Sequence, residues 1–291
     1  MSQEVEMKLA LGQQGPETLR QHPLLTHLPS SRDQLTNTYF DTARGDLKQA
    51  RMALRLRRTG NGWVQTLKTS GTGSGGMSQR GEWEWPVPEA QLDLAGLAEL
   101  PPINDLPNEV LEHLEARFTT DFHRQTWLLS VEQNQVELAL DEGEIRAGGR
   151  HVGIRELELE LKHGSAQCLP ELAEQLVSQV ALRPSDTSKA ARGAALLANA
   201  WPALEAGSAS VVLHNINMAL DAFSDTGERQ WINRAIDCLE RLGHMQPELQ
   251  EDTATLIVLL RNSNKYDWLT PQLGSMLLRL ARQLPDHIEM A

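Results

Sequence analysis

Cysteine is almost missing from this chain of 291 residues: there are two, Cys168 and Cys238, and no CxxC pair. That excludes a disulfide framework and a cysteine-based zinc site, and it suits a reducing compartment, so a cytoplasmic location is expected. A long apolar run is also missing. Leu256-Ile257-Val258-Leu259-Leu260 falls far short of the roughly 18 residues a membrane helix needs, and no basic and apolar leader precedes the first strand, so no membrane association is expected. Positive charge is in deficit as well: the net charge of -12 excludes a broad basic surface for nucleic acid, though a small internal basic cluster stays open. The glycine-rich stretch Gly71-Thr72-Gly73-Ser74-Gly75-Gly76 is followed by no GK[ST] and opens no helix, so it reads as a flexible loop and not as a phosphate cradle.

What is present suits a soluble globular chain, 40% hydrophobic and 23% charged, long enough for a barrel-sized domain and a smaller one. The division expected is residues 1–200, a linker at 201–209 and a helical bundle at 210–291. The first half is marked by strands with charge on one face. Glu4, Glu6 and Lys8 share a face opposite Val5, Met7 and Leu9. Alone, this is a common way to keep an edge strand soluble. The pattern recurs, however. Arg55 and Arg57 oppose Met52, Leu54 and Leu56; Arg80, Glu82 and Glu84 oppose Trp83; Glu156, Glu158 and Glu160 oppose Leu157, Leu159 and Leu161. Further strands are predicted at 35–40, at 63–68 after a Gly60-Asn61-Gly62 turn, and at 122–132 and 135–140 around Gln133-Asn134. Helices are predicted at 16–20, 108–117, 170–182 and 188–200, the last carrying Lys189 and Arg192 at its start, and in the tail at 210–222, 227–243, 247–263 and 267–284.

The amphipathic helices need an apolar surface to cover. The leucine face of the sheet therefore turns outward against them and the charged face closes on itself, as a barrel with a polar interior. Such an interior is tolerable only if its charges are matched. Because acids and bases fall on largely different strands, bound ligands are favoured over internal ion pairs: a divalent cation among the carboxylates and a polyanion among the guanidinium forks. Hard oxygen donors without His or Cys point to Mg2+ or Mn2+ and not zinc.

Glu4-Val5-Glu6-Met7-Lys8 resembles the ExExK hallmark of the CYTH superfamily, the triphosphate tunnel metalloenzymes. The rest of that pattern follows in order over about the first 200 residues: Asn37 to Thr42, Leu54-Arg55-Leu56-Arg57, Leu67-Lys68, Gln79-Arg80-Gly81-Glu82, Arg124, Leu140-Asp141, Glu156-Leu157-Glu158 and Ser188-Lys189. The resemblance implies an α+β fold in which an eight-stranded antiparallel β-tunnel, a closed barrel with a charged interior, is flanked by helices and followed by a small all-α domain. It implies that Lys8, Arg55, Arg57, Lys68, Arg80, Arg124 and Lys189 bind a triphosphate, and that Glu4, Glu6, Glu82, Asp141, Glu156 and Glu158 hold the metal, with Lys8, Lys68 and Glu6 the catalytic candidates. Glu84, Glu160 and Arg192 share that character with a weaker claim, and Glu84 and Glu160 suit the solvent at the tunnel mouths equally well.

The activity implied is metal-dependent hydrolysis of inorganic triphosphate, or a related polyphosphate, to pyrophosphate and phosphate. The family also holds nucleoside and thiamine triphosphatases and adenylate cyclases, but the His-Phe pair usual before ExExK in the cyclases is replaced here by Met1-Ser2-Gln3, and the aromatic residues are scattered. A non-catalytic polyphosphate-binding module is the competing reading. A helical tail resembles bacterial inorganic triphosphatases with an appended CHAD domain, a longer array rich in basic residues and histidines. Residues 205–291 are too short for that and carry more acids than bases, so the tail reads as a truncated or unrelated bundle, a regulatory or homo-oligomerisation surface without a site of its own.

Overall fold

The computed structural model describes residues 2–60, 62–107, 109–264 and 267–284. Asn61 of the expected 60–62 turn and Asn108, where a helix was expected to begin, lie outside the described residues. Eight strands, β1 (Ser2–Leu11), β2 (Ser30–Asp41), β3 (Met52–Thr59), β4 (Gly62–Thr69), β5 (Met77–Val87), β6 (Glu115–Val131), β7 (Asn134–Ala147) and β8 (Arg150–His163), form an antiparallel sheet in the order β5-β4-β3-β2-β6-β7-β8-β1. Pairing of β5 with β1, Glu4 opposite Arg80 and Glu6 opposite Ser78, closes it into a barrel. A ninth strand, β9 (Leu182–Pro184), adds to the outside of β1.

Period-two alternation explains the two faces. The outward Leu9, Leu138, Leu140, Leu157 and Leu159 are buried beneath α5 (Cys168–Val177), which contributes Leu169, Leu172, Ala173 and Leu176. Burying each such leucine is worth about 1.5–3 kcal/mol, so the leucine face fixes which way the charged face points. The opposite side of the barrel is covered by short pieces, α2 (Asp46–Gln49), α3 (Leu94–Ala98) and α4 (Glu109–Glu112), through Leu47, Leu97 and Val110, while α1 (Gly15–Arg20) adds Leu19 to the α5 side.

The interior is charged along most of its length but not at one end. There the inward-facing Leu35, Phe122, Ile145 and Ile154 form an apolar cluster with Phe118, Val152 and Leu196, the last belonging to α6 (Lys189–Ala198). This helix stoppers the barrel. Gly193 is what lets it sit so close: a methyl group there would come within 2.2 Å of the Phe118 ring. Ser188 caps α6 by accepting from the Ala191 amide, and Asn199 ends it in the left-handed conformation.

Two expected helices are shorter than their periodicity suggests. The helix expected at 108–117 is the single turn α4, because Glu115 and Ala116 already pair with Asp41 and Phe40 at the end of the long β6–β2 ladder. The one expected at 170–182 stops at Val177, since Leu182 and Arg183 extend as β9 against β1.

The tail is α7 (Ala209–Thr226), α8 (Arg229–Met245), α9 (Gln250–Asn262) and α10 (Pro271–Gln283), packed around Leu220, Ile232, Leu239, Leu256 and Leu273. It is joined to the barrel by packing: Leu278 of α10 belongs to the cluster under α5. Trp201 sits edge-on to Trp231 with ring centroids 6.3 Å apart, and Asn215 exchanges two hydrogen bonds with the backbone of Glu205, so the chain between α6 and α7 lies against the bundle. Among the described residues no helix is long and apolar enough to cross a membrane.

Candidate active site

The lumen is part of a cavity of about 1020 Å3 whose walls include Glu4, Lys8, Arg55, Arg57, Arg124 and Lys189. One bank is acidic. Antiparallel pairing sets Asp141 of β7 opposite Glu156 of β8, and Glu158 follows two residues on, on the same face. One carboxylate oxygen from each of these three residues lies within 4.8 Å of the others. Three carboxylates so close, two of them buried and Glu158 half-buried, would repel strongly without a counter-charge. The Lys189 ammonium, delivered by the first residue of α6, supplies it: it is 2.7 Å from Asp141, 3.1 Å from Glu158 and bonded to Glu156. Arg124 adds a fork, with Nε and Nη2 each 2.7 Å from the two oxygens of Asp141 and Nη2 2.5 Å from Glu158.

The two glutamates of β8 respond oppositely. Burial pushes both upward; at Glu158 the charges of Lys189, Arg124 and Lys8 outweigh burial and hold the carboxyl well below its usual range. At Glu156 burial wins, with Glu158 and Asp141 adding to it against Lys189, so its carboxyl is raised.

The first strand supplies the neighbouring part of the wall. Glu4 accepts from Lys68 at 2.8 Å and from Arg80 at 2.9 Å; Arg80 also reaches Glu6 at 2.7 Å, and Glu6 lies 3.8 Å from Lys8. Burial raises the Glu4 carboxyl, but Lys68 and Arg80 together bring it from 4.5 down to about 2. Glu82 is 3.2 Å from Lys68. The expectation that bound ligands would neutralise the acids in place of internal ion pairs is therefore corrected: neighbouring antiparallel strands bring Arg80 to Glu4 and Arg124 to Asp141, α6 brings Lys189 to the triad, and these acids are paired internally.

The other bank is different. Among the described residues, Arg55 and Arg57, on β3, have only long ion pairs or none. Arg55 comes no nearer than 3.9 Å to Glu82 and Glu84, and its buried Nε has no hydrogen-bond partner. Among the described residues Arg57 has no ion pair; its Nε donates to Asn37 at 2.8 Å, and Asn37 in turn donates to Thr120. Burial, with the like charges of Arg55 and Arg124 nearby, brings the Arg57 guanidinium down to about 10. A cation destabilised in this way is a binding group for an anion.

All of the candidate residues thus face the lumen or the buried cluster in its wall. Of those with a weaker claim, Glu84 is 46% exposed at the rim and takes a hydrogen bond from Thr66, Glu160 lines the cavity paired with Lys162, and Arg192 turns away from the lumen to Asp225. Lys162, Asp186 and His214 also line the cavity. Lys162 was discoverable by parity with Glu160; Asp186 and His214 lie in a loop and a tail helix, where no strand periodicity marks them.

The donor chemistry of Asp141, Glu156 and Glu158, carboxylate oxygens with no His or Cys among them, fits a hard divalent cation, with Lys189 already at their centre.

The CYTH domain matches residues 2–194. An inorganic triphosphatase of Haemophilus influenzae is 36% identical over 198 residues, covering 66% of this chain and 54% of that protein, so the chain spans about half the length of this curated relative. Among solved structures, a Hippeastrum protein described as a putative adenylyl cyclase with a dominant triphosphatase activity aligns over 70% of this chain and all of its own, at 19% identity and a TM-score of 0.48. A putative adenylate cyclase of Bacillus halodurans aligns over 61% of this chain and 90% of its own, at 21% identity and a TM-score of 0.38. With the domain matched over 193 of 291 residues, from 2 to 194, this chain belongs to the CYTH domain family.

Proposed function

We propose that the protein hydrolyses inorganic triphosphate to pyrophosphate and phosphate inside the barrel, with Mg2+ or Mn2+ as the metal. The observation that carries this reading is the imbalance of the lumen: the under-paired Arg55 and Arg57 line the same cavity of about 1020 Å3 as Glu158, the member of the acid triad that reaches it. A short phosphate chain supplies the anionic oxygens that Arg55 and Arg57 lack, with Lys68, Arg80 and Arg124 free to share their protons between carboxylate and phosphate. The triphosphatase name of the Haemophilus relative supports the same substrate.

Asp141, Glu156 and Glu158, with Glu4, Glu6 and Glu82 in reserve along β1 and β5, would hold the metal, which supplies charge neutralisation at phosphoryl oxygens and lowers the pKa of a water. The chain's own residues do the rest. Arg55 and Arg57 straighten and anchor the phosphate chain, Lys8 and Lys68 neutralise the departing phosphate, and the carboxylates of Glu6 and its neighbours are the proton acceptors at hand. No nucleophilic side chain is required. A nucleoside triphosphate is less well served: Tyr39 and Phe118 line the cavity, but they stack on each other at 4.7 Å and Phe118 is pressed against Gly193.

The test is phosphate release from triphosphate, ATP, thiamine triphosphate and long-chain polyphosphate, with Mg2+ and Mn2+ in turn. Triphosphate is the expected preferred substrate, and Lys8→Ala and Glu6→Ala should abolish turnover. Undiminished activity in those two variants would overturn the assignment, and tight triphosphate binding without release would mark a binding module instead.

A further inference from the structure

Four polar residues of α7, His214, Asn217, Asp221 and Asp225, spaced by three, four and four residues, lie on one face and share a set of partners apart from that of Asn215. Buried polar groups persist where they have partners, and here the partners all belong to one segment, residues 183–192. Asp221 pairs with the fully buried Arg183 at 2.7 Å and accepts from the Ser185 hydroxyl at 3.0 Å and the Thr187 amide at 3.2 Å. Asp186 accepts from Asn217 at 3.1 Å, faces His214 at 3.2 Å, and takes the Gly76 amide at 2.6 Å. Asp225 receives a fork from Arg192, Nε at 3.0 Å and Nη2 at 2.5 Å.

That segment is the one that delivers Lys189 to the acid triad, and Arg192 is itself close to it. Its remaining nitrogen, Nη1, is 3.8 Å from Glu156 Oε2, while the other Glu156 oxygen holds Lys189. A second cavity, of about 350 Å3, lies behind Glu156 and is lined by Arg183, Arg192, Asp221 and Asp225. Arg192 thus stands between two carboxylates, one in the tail and one in the triad. The nearer one, Asp225, has the bidentate contact.

We propose that Asp225 of the tail is a positioning residue for the tunnel: it holds the Arg192 guanidinium off Glu156, so that this carboxylate stays available to a divalent cation. The proposal rests on the functional reading above, in which Glu156 belongs to the metal-holding set. Without Asp225, Arg192 is a buried cation whose nearest remaining anion is Glu156, and closing the 3.8 Å gap would neutralise a ligand oxygen. The tail then has a role at the site that its short, acid-rich helices do not advertise.

The direct readout is Mn2+ affinity of the full chain, measured from the electron paramagnetic resonance signal of free Mn2+, alongside triphosphate turnover. Asp225→Asn is expected to weaken Mn2+ binding about 10- to 100-fold, as changes in groups that orient metal ligands do. Arg192→Met should bind Mn2+ at least as tightly as the native chain, and the double variant Asp225→Asn/Arg192→Met should match Arg192→Met. A purely structural Asp225 predicts the reverse order, with the double variant no better than Asp225→Asn, and that result overturns the proposal. So does native-like Mn2+ affinity in Asp225→Asn. If Asp225→Asn does not fold, Asp225→Glu and Arg192→Met carry the test, and weakened Mn2+ binding in Arg192→Met overturns it. A native chain that neither binds Mn2+ nor turns over triphosphate would instead remove the functional reading, whatever the variants do.

Discussion

The two banks of the lumen differ in how far the protein satisfies them by itself. The acid bank is complete: Lys189, Arg124, Lys68 and Arg80 neutralise Asp141, Glu156, Glu158, Glu4 and Glu6. The basic bank is not, since among the described residues Arg55 and Arg57 face no carboxylate closer than 3.9 Å. Acids held in readiness by resident cations can exchange those cations for a metal, whereas weakly paired guanidinium groups raise the energy of the empty protein until an anion arrives. On this view the acid bank contributes to stability and the basic bank to binding.

The largest effect should come from breaking the acid bank at its centre. Lys189→Met leaves the two buried carboxylates and the half-buried Glu158 short of their shared cation and should cost about 3–5 kcal/mol of stability in chelator, by urea unfolding, with millimolar Mg2+ restoring part of it. A loss below about 1 kcal/mol would show that Arg124 alone balances the triad. The mirror experiment on the basic bank has the opposite profile. Arg57→Met should change stability by no more than about 1 kcal/mol, because relief from Arg55 and Arg124 offsets the hydrogen bond lost by Asn37, yet it should weaken triphosphate binding roughly 30-fold or more by calorimetry.

The acid limb of the stability curve sharpens the same contrast. Glu4 is held at about 2 instead of 4.5, so its contribution is fully present above pH 4.5 and is lost as pH falls from there toward 2. Glu4→Gln should therefore flatten the stability curve across that window while leaving its shape near neutrality unchanged. The smallest effect belongs to the rim: Glu84→Gln, 46% exposed and 3.9 Å from Arg55, should stay within about 0.5 kcal/mol of the native chain. A larger change would place Glu84 in the acid bank.

Much of the barrel was legible because alternation in strands is a strict rule. The leucines of residues 155–161 had to face helices, and the opposite carboxylates then had to face inward. What alternation does not report is how far along the axis an interior stays wet. Leu35, Ile145 and Ile154 sit on the inward face like Asn37, Asp141 and Glu156, but beyond the point where α6 enters, and no local signal separates them. Nor does parity tell which strands become neighbours. Acids and bases that looked segregated along the chain meet because β1 pairs with β5, placing Glu4 opposite Arg80. The polar face of α7 was illegible for another reason: His214, Asn217, Asp221 and Asp225 resemble ordinary solvent-facing positions until their partners on residues 183–192 are known.

Gly193 acts at a distance through the side chain it lacks. It stands four residues after Lys189 on the same helix, so both project along one side of the rod. Glycine costs a helix interior about 1 kcal/mol relative to alanine, a local loss that favours any larger residue here. A larger residue would collide with Phe118 and lift the whole rod outward, withdrawing the ammonium at its tip from Asp141, Glu156 and Glu158. The depth at which a charge rests in this protein is thus set by an apolar contact one turn away from it.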